Sequence, residues 1–203
     1  MQIARAAAGL FARHGLRATR AEDIAQSAGI APRTFYRYFA TKEEAVAPLY
    51  AAGAQRWADA VRAAPPALSV PEALEHGVRH TLTPGVGVST TSWTWARTLI
   101  GMAESSPGLR RVWAEVCQAS ERTLGEVLLE RVTHGDRAPA VTSPELRFAA
   151  AVASAAVRTA VEGWATGREH PGTLAGPAES ALRNLRALRD FPWGEIGTAR
   201  GVG

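Results

Sequence analysis

The sequence predicts an all-α protein of about nine helices, arranged as a small N-terminal unit and a larger helical body. Three observations carry that expectation. No stretch of useful length alternates apolar and polar residues, and β-branched residues do not cluster, so strands find no support. Apolar residues recur at three- and four-residue spacings instead, as on one stripe of a helix. Helix punctuation also recurs: Pro in first turns, Ser or Thr followed three residues later by Glu, and Gly just past a last turn.

Taken in order, a first helix spans about Ile3 to His14, with Ile3, Ala6, Ala7, Leu10 and Phe11 on one stripe and Gly15 suited to its C-terminal cap. A short second helix follows Thr19, which has capping-box spacing with Glu22. Ala21, Ile24, Ala25 and Ala28 face inward there, and Gly29 ends it. Pro32 opens a third helix that runs to about Phe39. Thr41 and Glu44 make a second candidate capping box, which predicts a fourth helix over about 42–63 that links the two units, kinked near its start by Pro48. Pro65-Pro66 closes it.

Five further helices are expected beyond that point. The first begins at Ser69-Val70-Pro71-Glu72 and stops before Pro84-Gly85, and the next covers about Ser89 to Ser105. A long one starts at Ser106-Pro107 and runs through Val132, followed by a loop over Thr133 to Thr142. Ser143-Pro144-Glu145 starts a helix to about Gly167, and the last covers about Pro177 to Arg189. The domains read as 1–47, 48–190, and a tail, Phe191 to Gly203, expected to be poorly ordered.

Composition excludes several classes. The chain has 203 residues, 46% of them hydrophobic, and a formal net charge of +4, unlike an intrinsically disordered protein. No run approaches the ~18 uncharged apolar residues of a membrane span. Cys117 is the single cysteine, so no internal disulfide is possible. The N-terminus has no basic region followed by an apolar run and a cleavage site, so a cytoplasmic location is expected.

The charge is unevenly placed. Residues 1–42 carry seven basic side chains (Arg5, Arg13, Arg17, Arg20, Arg33, Arg37, Lys42) against Glu22 and Asp23, a balance of +5. Residues 65–203 carry 14 Arg against 14 acidic residues, a balance of zero. Because 22 of the 23 basic residues are Arg, composition could inflate any local count, but the neutral body argues against that. A basic end on a neutral body suggests a module for a polyanion.

Helices two and three are joined by Ala28-Gly29-Ile30-Ala31, a helix-turn-helix arrangement. Its second helix must bury one face and offer the other to a major groove. Phe35 and Phe39 can bury together against Ile24, Ile30, Leu10 and Phe11, which leaves Arg33, Thr34, Tyr36, Arg37 and Tyr38 across the remaining surface. Arg can bridge guanine O6 and N7, and Tyr and Thr hydroxyls can reach phosphates or base edges. Lys42 lies near a helix start that favours a phosphate. An aromatic core helix with a solvated Arg face is the plainer alternative, but outward tyrosines beside outward arginines fit it poorly.

The combined pattern resembles the DNA-binding domain of TetR-family bacterial transcriptional regulators. It runs Ile3-x2-Ala6-Ala7-x2-Leu10-Phe11-x3-Gly15, then Asp23-Ile24-Ala25-x2-Ala28-Gly29-Ile30, then Arg33-Thr34-Phe35-Tyr36-Arg37-Tyr38-Phe39-x2-Lys42-Glu43-Glu44. The resemblance implies a homodimer whose third helices enter successive major grooves of a near-palindromic operator in double-stranded DNA. It places Arg33, Thr34 and Tyr36 where base or groove contacts are common. Tyr38 and Lys42 fall at phosphate positions, and Thr19 and Arg20 at the backbone-facing start of helix two. Two residues depart from the pattern. Arg20 stands where a hydroxyl residue is usual, and Ala31 stands where Ser or Thr often caps the third helix, forfeiting ~1 kcal/mol. The basic arm that often precedes helix one is absent, so no minor-groove arm contact is expected.

The body is expected to dimerise and to sense a small-molecule effector. The helices over about 145–167 and 177–189 are rich in small and apolar residues (Ala149 to Ala160, Val161, Trp164, then Leu182, Leu185 and Leu188) and can pair with their symmetry mates, although a monomeric core is the alternative. Trp93, Trp95, Met102, Trp113 and Cys117 lie on helices that would line a central cavity in a TetR-like body, and Trp164 is a further candidate for it. A lipophilic or aromatic ligand suits such a lining, and plain core packing is the competing reading for each residue alone. Arg97, among these tryptophans, can pair with an anionic ligand or with a neighbouring Glu.

Glu72, His76 and His80 share one helix face at metal-ligand spacing, but no His-Glu-x-x-His or Cys pair accompanies them. A polar pocket wall or surface stripe is the preferred reading, and no metal or cofactor is expected. Gly85-x-Gly87 lacks a third glycine and reads as a loop. Two function classes remain: a transcriptional regulator, a repressor released from its operator by a ligand, and an α-helical enzyme or ligand carrier with an incidental basic end. The first is favoured, and no catalytic residue is assigned.

Overall fold

The N-terminal unit does not close its own core. The computed structural model, described over residues 1–83, 90–133, 143–167 and 176–187, holds nine α-helices and no strand among those residues. They are α1 (Gln2–His14), α2 (Ala21–Ser27), α3 (Pro32–Tyr38), α4 (Ala47–Arg62), α5 (Val70–Leu82), α6 (Thr90–Ala103), α7 (Pro107–Val132), α8 (Pro144–Thr166) and α9 (Ala178–Arg186). Phe11, Ile24, Phe35 and Val46 are buried together with Leu99 and Ile100 of α6 and Leu109 and Val112 of α7. Fully burying one such side chain contributes about 1.5–3 kcal/mol. The body thus supplies part of the N-terminal core. A second core joins Trp57 and Val61 of α4, Leu74 and Val78 of α5, Leu124 and Leu128 of α7, Leu146 and Val157 of α8, and Leu185 of α9.

Local chemistry explains the boundaries. Gly15 ends α1 at φ 78°, its N–H donating to the Phe11 carbonyl, and Gly29 takes φ 67° in the turn before α3. A side chain would be strained at either position. Ser69 caps α5, its N–H and Oγ donating to Glu72 Oε2 at 2.8 and 2.7 Å. Ser106 and Ser143 accept from Leu109 and Leu146 at the starts of α7 and α8. Gly167, at φ 71°, ends α8. Ala31, at the start of α3, supplies no side-chain cap, as the sequence implies.

Two starts differ from expectation. The cap of α2 sits one residue later than the Thr19–Glu22 pairing predicts: Arg20 is the cap position and Asp23 Oδ2 accepts its N–H at 2.8 Å. Thr19 is turned inward, its Oγ1 donating to the Gly15 carbonyl at 2.9 Å, because that carbonyl at the end of α1 otherwise lacks a helical partner. Nor does Pro48 kink a helix that began near residue 42. A short 3-10 turn, Glu44–Val46, precedes α4, and Pro48 occupies the first turn of α4, where its missing N–H costs nothing. Thr41 Oγ1 does accept the Glu44 N–H (3.3 Å), but the Glu44 carboxylate accepts from Ala40 (2.9 Å), so the box closes a turn and starts no long helix.

The last helix is described to Arg186, and the expected stretch to Arg189, with Leu188, lies outside the described residues. So do the start at Ser89, the Gly85-x-Gly87 loop, all but Thr133 of the 133–142 loop, and the tail. One clamp was not anticipated: Arg131 of α7 donates to the carbonyls of Val61, Ala64, Pro65 and Leu68 at 2.9 to 3.3 Å, capping the end of α4 and holding the link to α5.

Candidate nucleic-acid interface and ligand cavity

Helix α3 is two-faced, as its spacing requires. Phe35 is wholly buried and meets Phe39 at 5.5 Å between ring centroids. On the other side Tyr36 is 52% and Tyr38 61% exposed, and Arg33 and Arg37 are exposed beside them. Thr34 is half-buried. The surface is pre-ordered by its own contacts. Tyr36 Oη donates to Glu22 Oε1 of α2 at 3.1 Å, and that hydrogen bond raises the phenol pKa above its ordinary value. The Arg37 guanidinium lies 5.0 Å over the Tyr38 ring and donates to its hydroxyl at 3.2 Å.

The remaining expected contacts divide. Arg20 is exposed at the start of α2, where its charge can meet a phosphate. Thr19 is 2% exposed, so its hydroxyl serves the α1–α2 turn. Lys42, half-buried, donates to the carbonyls of Leu16 and Thr19 at 2.6 and 2.8 Å. It ties the end of the unit to the turn before α2, and an ammonium with three donors keeps one more.

A cavity of about 660 Å³ lies in the body between α4, α6, α7 and α8, with Met1 and Arg5 of α1 at its border. Of the residues expected there, Trp93, Trp95, Trp113, Cys117 and Trp164 line it. Trp93 meets Trp164 edge to face at 5.1 Å, and Trp113 meets Tyr50 of α4 at 5.0 Å. Trp113 Nε1 donates to Glu162 Oε1 at 2.7 Å, and Arg158 pairs with the same carboxylate at 3.3 Å. Burial pushes the Cys117 thiol up to about 12, so it is a neutral wall group.

Four expected ligand residues lie elsewhere. Met102 packs against the N-terminal core, because the far end of α6 is given to that contact. Arg97 is exposed, 5.6 Å over the Trp164 ring. His76 and His80 stack on α5 at 6.2 Å outside the lining, and Glu72 of their stripe is occupied in capping α5. Among the described residues, no group of three or more His, Cys, Asp or Glu is placed to hold a metal ion.

Sequence reasoning missed Tyr50, Ser154, Arg5, Arg56 and Arg110 on the lining, since nothing local marks residues brought together from separate helices. It also missed a bridge between the units. Glu44 Oε1 accepts from Arg111 Nη2 of α7 at 3.0 Å while its Oε2 holds the Ala40 N–H just past α3.

A helix-turn-helix unit is thus built onto a cavity-bearing helical body. Residues 3–47 match the family described as bacterial regulatory proteins, tetR family, and the chain carries that family's N-terminal domain on a TetR-like fold. No curated protein sequence matches it. Among solved structures it is similar to the TetR family repressor AlkX from Dietzia sp., implicated in n-alkane biodegradation, at 17% identity and TM-score 0.59, over 97% of this chain and 98% of that one. It is similar to Thermus thermophilus FadR, a TetR family transcriptional repressor solved with lauroyl-CoA, at 23% identity and TM-score 0.54, over 92% and 91%. The fatty acid degradation regulator FadR from Bacillus halodurans matches at 20% identity and TM-score 0.50, over 98% and 95%. No helix among the described residues is long and apolar enough to cross a membrane.

Proposed function

We propose that this protein is a cytoplasmic, non-enzymatic repressor that binds a near-palindromic operator as a homodimer and is released by a small lipophilic or aromatic ligand. The observation that carries this is the exposed Arg33–Tyr36–Arg37–Tyr38 surface, ordered on a helix whose opposite side is anchored by Phe35. Thr34, Arg33 and Tyr36 read the groove, while Arg20, Arg37, Tyr38 and Lys42 hold phosphates. Dimerisation through α8 and α9 would set the two recognition helices ~34–36 Å apart, one turn of DNA.

Helices α6 and α7 supply residues both to the cavity and to the core that buries Phe35. Helix α6 carries Trp93 and Trp95 on the lining and, one to two turns on, Leu99 and Ile100 in the N-terminal core. A ligand that displaces α6 therefore bears on the packing under α3. A coupling of 1–3 kcal/mol suffices for release, roughly 5- to 150-fold in affinity.

A gel shift with the DNA flanking its own gene tests the reading. Specific retardation is expected, weakening steeply with salt as phosphate contacts release counterions. Arg33→Ala and Tyr36→Ala should each lose it. An absence of specific retardation at moderate salt, or both variants binding as wild type, would favour an enzyme or ligand carrier instead.

A further inference from the structure

We infer that the cavity takes a lipophilic anion, its apolar body among the tryptophans and its charged oxygens at an arginine border. This rests on the effector reading above and narrows it to one ligand chemistry. Arg5, Arg56, Arg110 and Arg158, each from a different helix, border the space against two acids among the described residues, Glu121 and Glu162. Glu162 is already matched by Arg158 and by the Trp113 N–H, so it offers a cationic ligand little. Arg110 donates to the carbonyls of Ala103 and Glu104, which orient its guanidinium without neutralising it. Arg5 and Arg56 are exposed and make no ion pair among the described residues.

A second observation is independent of charge. The Tyr50 hydroxyl is buried without a hydrogen-bond partner on a side chain only 5% exposed, and Tyr50 lines the same space. Buried hydroxyls are ordinarily satisfied, and this one can donate to an acceptor oxygen of a ligand. Trp93 Nε1, a donor only, and Ser154 Oγ are also buried and unpartnered on lining residues. All three can donate to a ligand oxygen, and Trp93 Nε1 can do nothing else. A guanidinium matches the planar oxygens of a carboxylate and equally those of a phosphate.

The test uses the full-length protein without DNA and four probes that share a dodecyl chain: dodecanoate, dodecyl phosphate, dodecanol and dodecyltrimethylammonium. Tryptophan fluorescence reads binding, because Trp93, Trp113 and Trp164 line the space. The two anions should bind at least about tenfold tighter than the alcohol, and the cation weakest of all. Whichever anion is tighter separates a carboxylate ligand from a phosphate one. The double variant Arg5→Ala/Arg56→Ala should lose the preference for anions while still binding dodecanol, and Tyr50→Phe should weaken all oxygen-bearing probes. Equal affinities, a preference for the cation, or no binding by any probe would overturn the inference. The operator assay is run separately with dodecanoate and lauroyl-CoA: anion binding without operator release would sink the effector reading while leaving the cavity assignment standing.

Discussion

At the scale of single residues, charge and burial set what each group can do. Arg33 and Tyr36, the residues proposed to read DNA, stay exposed because Phe35, with Phe39 beside it, anchors the opposite side of α3. Arg33→Ala should cost about tenfold or more in operator affinity, measured by fluorescence anisotropy, and should leave the thermal midpoint unchanged within error. Cys117 is held as a thiol, its pKa raised by burial to about 12, so iodoacetamide should alkylate it slowly even near pH 9 and rapidly once the protein is unfolded. The sign follows from which state holds the proton more tightly. The folded pKa is raised, so this group's contribution is complete below the unfolded value near 9 and is lost as pH climbs from there towards 12.

At the scale of elements, close approach and capping dominate. Helix α5 lies so near α4 that a Cβ on Gly77 would sit 2.6 Å from Val61 Cγ2 and 3.1 Å from Trp57 Cδ1. Gly77→Ala should therefore destabilise the protein by about 1–3 kcal/mol, despite alanine's better helix propensity, as read by urea unfolding. Arg131 makes another inter-element contact of consequence. Replacing it with Ala strips donors from four carbonyls and should cost about 1–3 kcal/mol. Arg131→Lys should recover only part, since one ammonium cannot span the fork that a guanidinium spans. The helix starts at Ser69, Ser106 and Ser143 were legible in the sequence because a cap needs only residues within one turn. Gly77 and Arg131 were not, because each acts on a partner helix.

At the scale of the whole molecule, the two units are joined by a shared core and by Glu44. That carboxylate connects α7, through Arg111, to the Ala40 N–H behind α3, and Arg110, next in sequence to Arg111, borders the cavity. The first turn of α7 thus touches both places that the proposed ligand response would link. Exposed ion pairs contribute little stability, and the side chain of Arg111 is 61% exposed. Arg111→Ala should therefore change the thermal midpoint little and leave ligand affinity intact. It should instead reduce the factor by which a bound ligand weakens operator binding, measured by titrating ligand into the protein–DNA complex. An unchanged factor would assign the coupling to the packed core of α6 alone.

The sequence by itself determined the all-α class, the helix-turn-helix and which side chains of α3 are left exposed, Thr34 apart. Those features depend on local spacing: the i, i+4 placement of Phe35 and Phe39, Gly at φ above zero, and charge collected within residues 1–42. It also indicated Trp93, Trp95, Trp113 and Trp164 of the cavity wall, though not Trp57, because they sit on helices whose order the family pattern implies. Only the tertiary structure decided that Thr19 faces inward and that Pro48 begins a helix, since both turn on which neighbouring groups compete for the same partners. It alone brought Arg5, Arg56 and Arg110 to one border and Tyr50 to one wall. The basic excess that the sequence places in the first 42 residues is also shared with the lining of the cavity through Arg5. That second use depends on helices crossing, and no linear spacing encodes it.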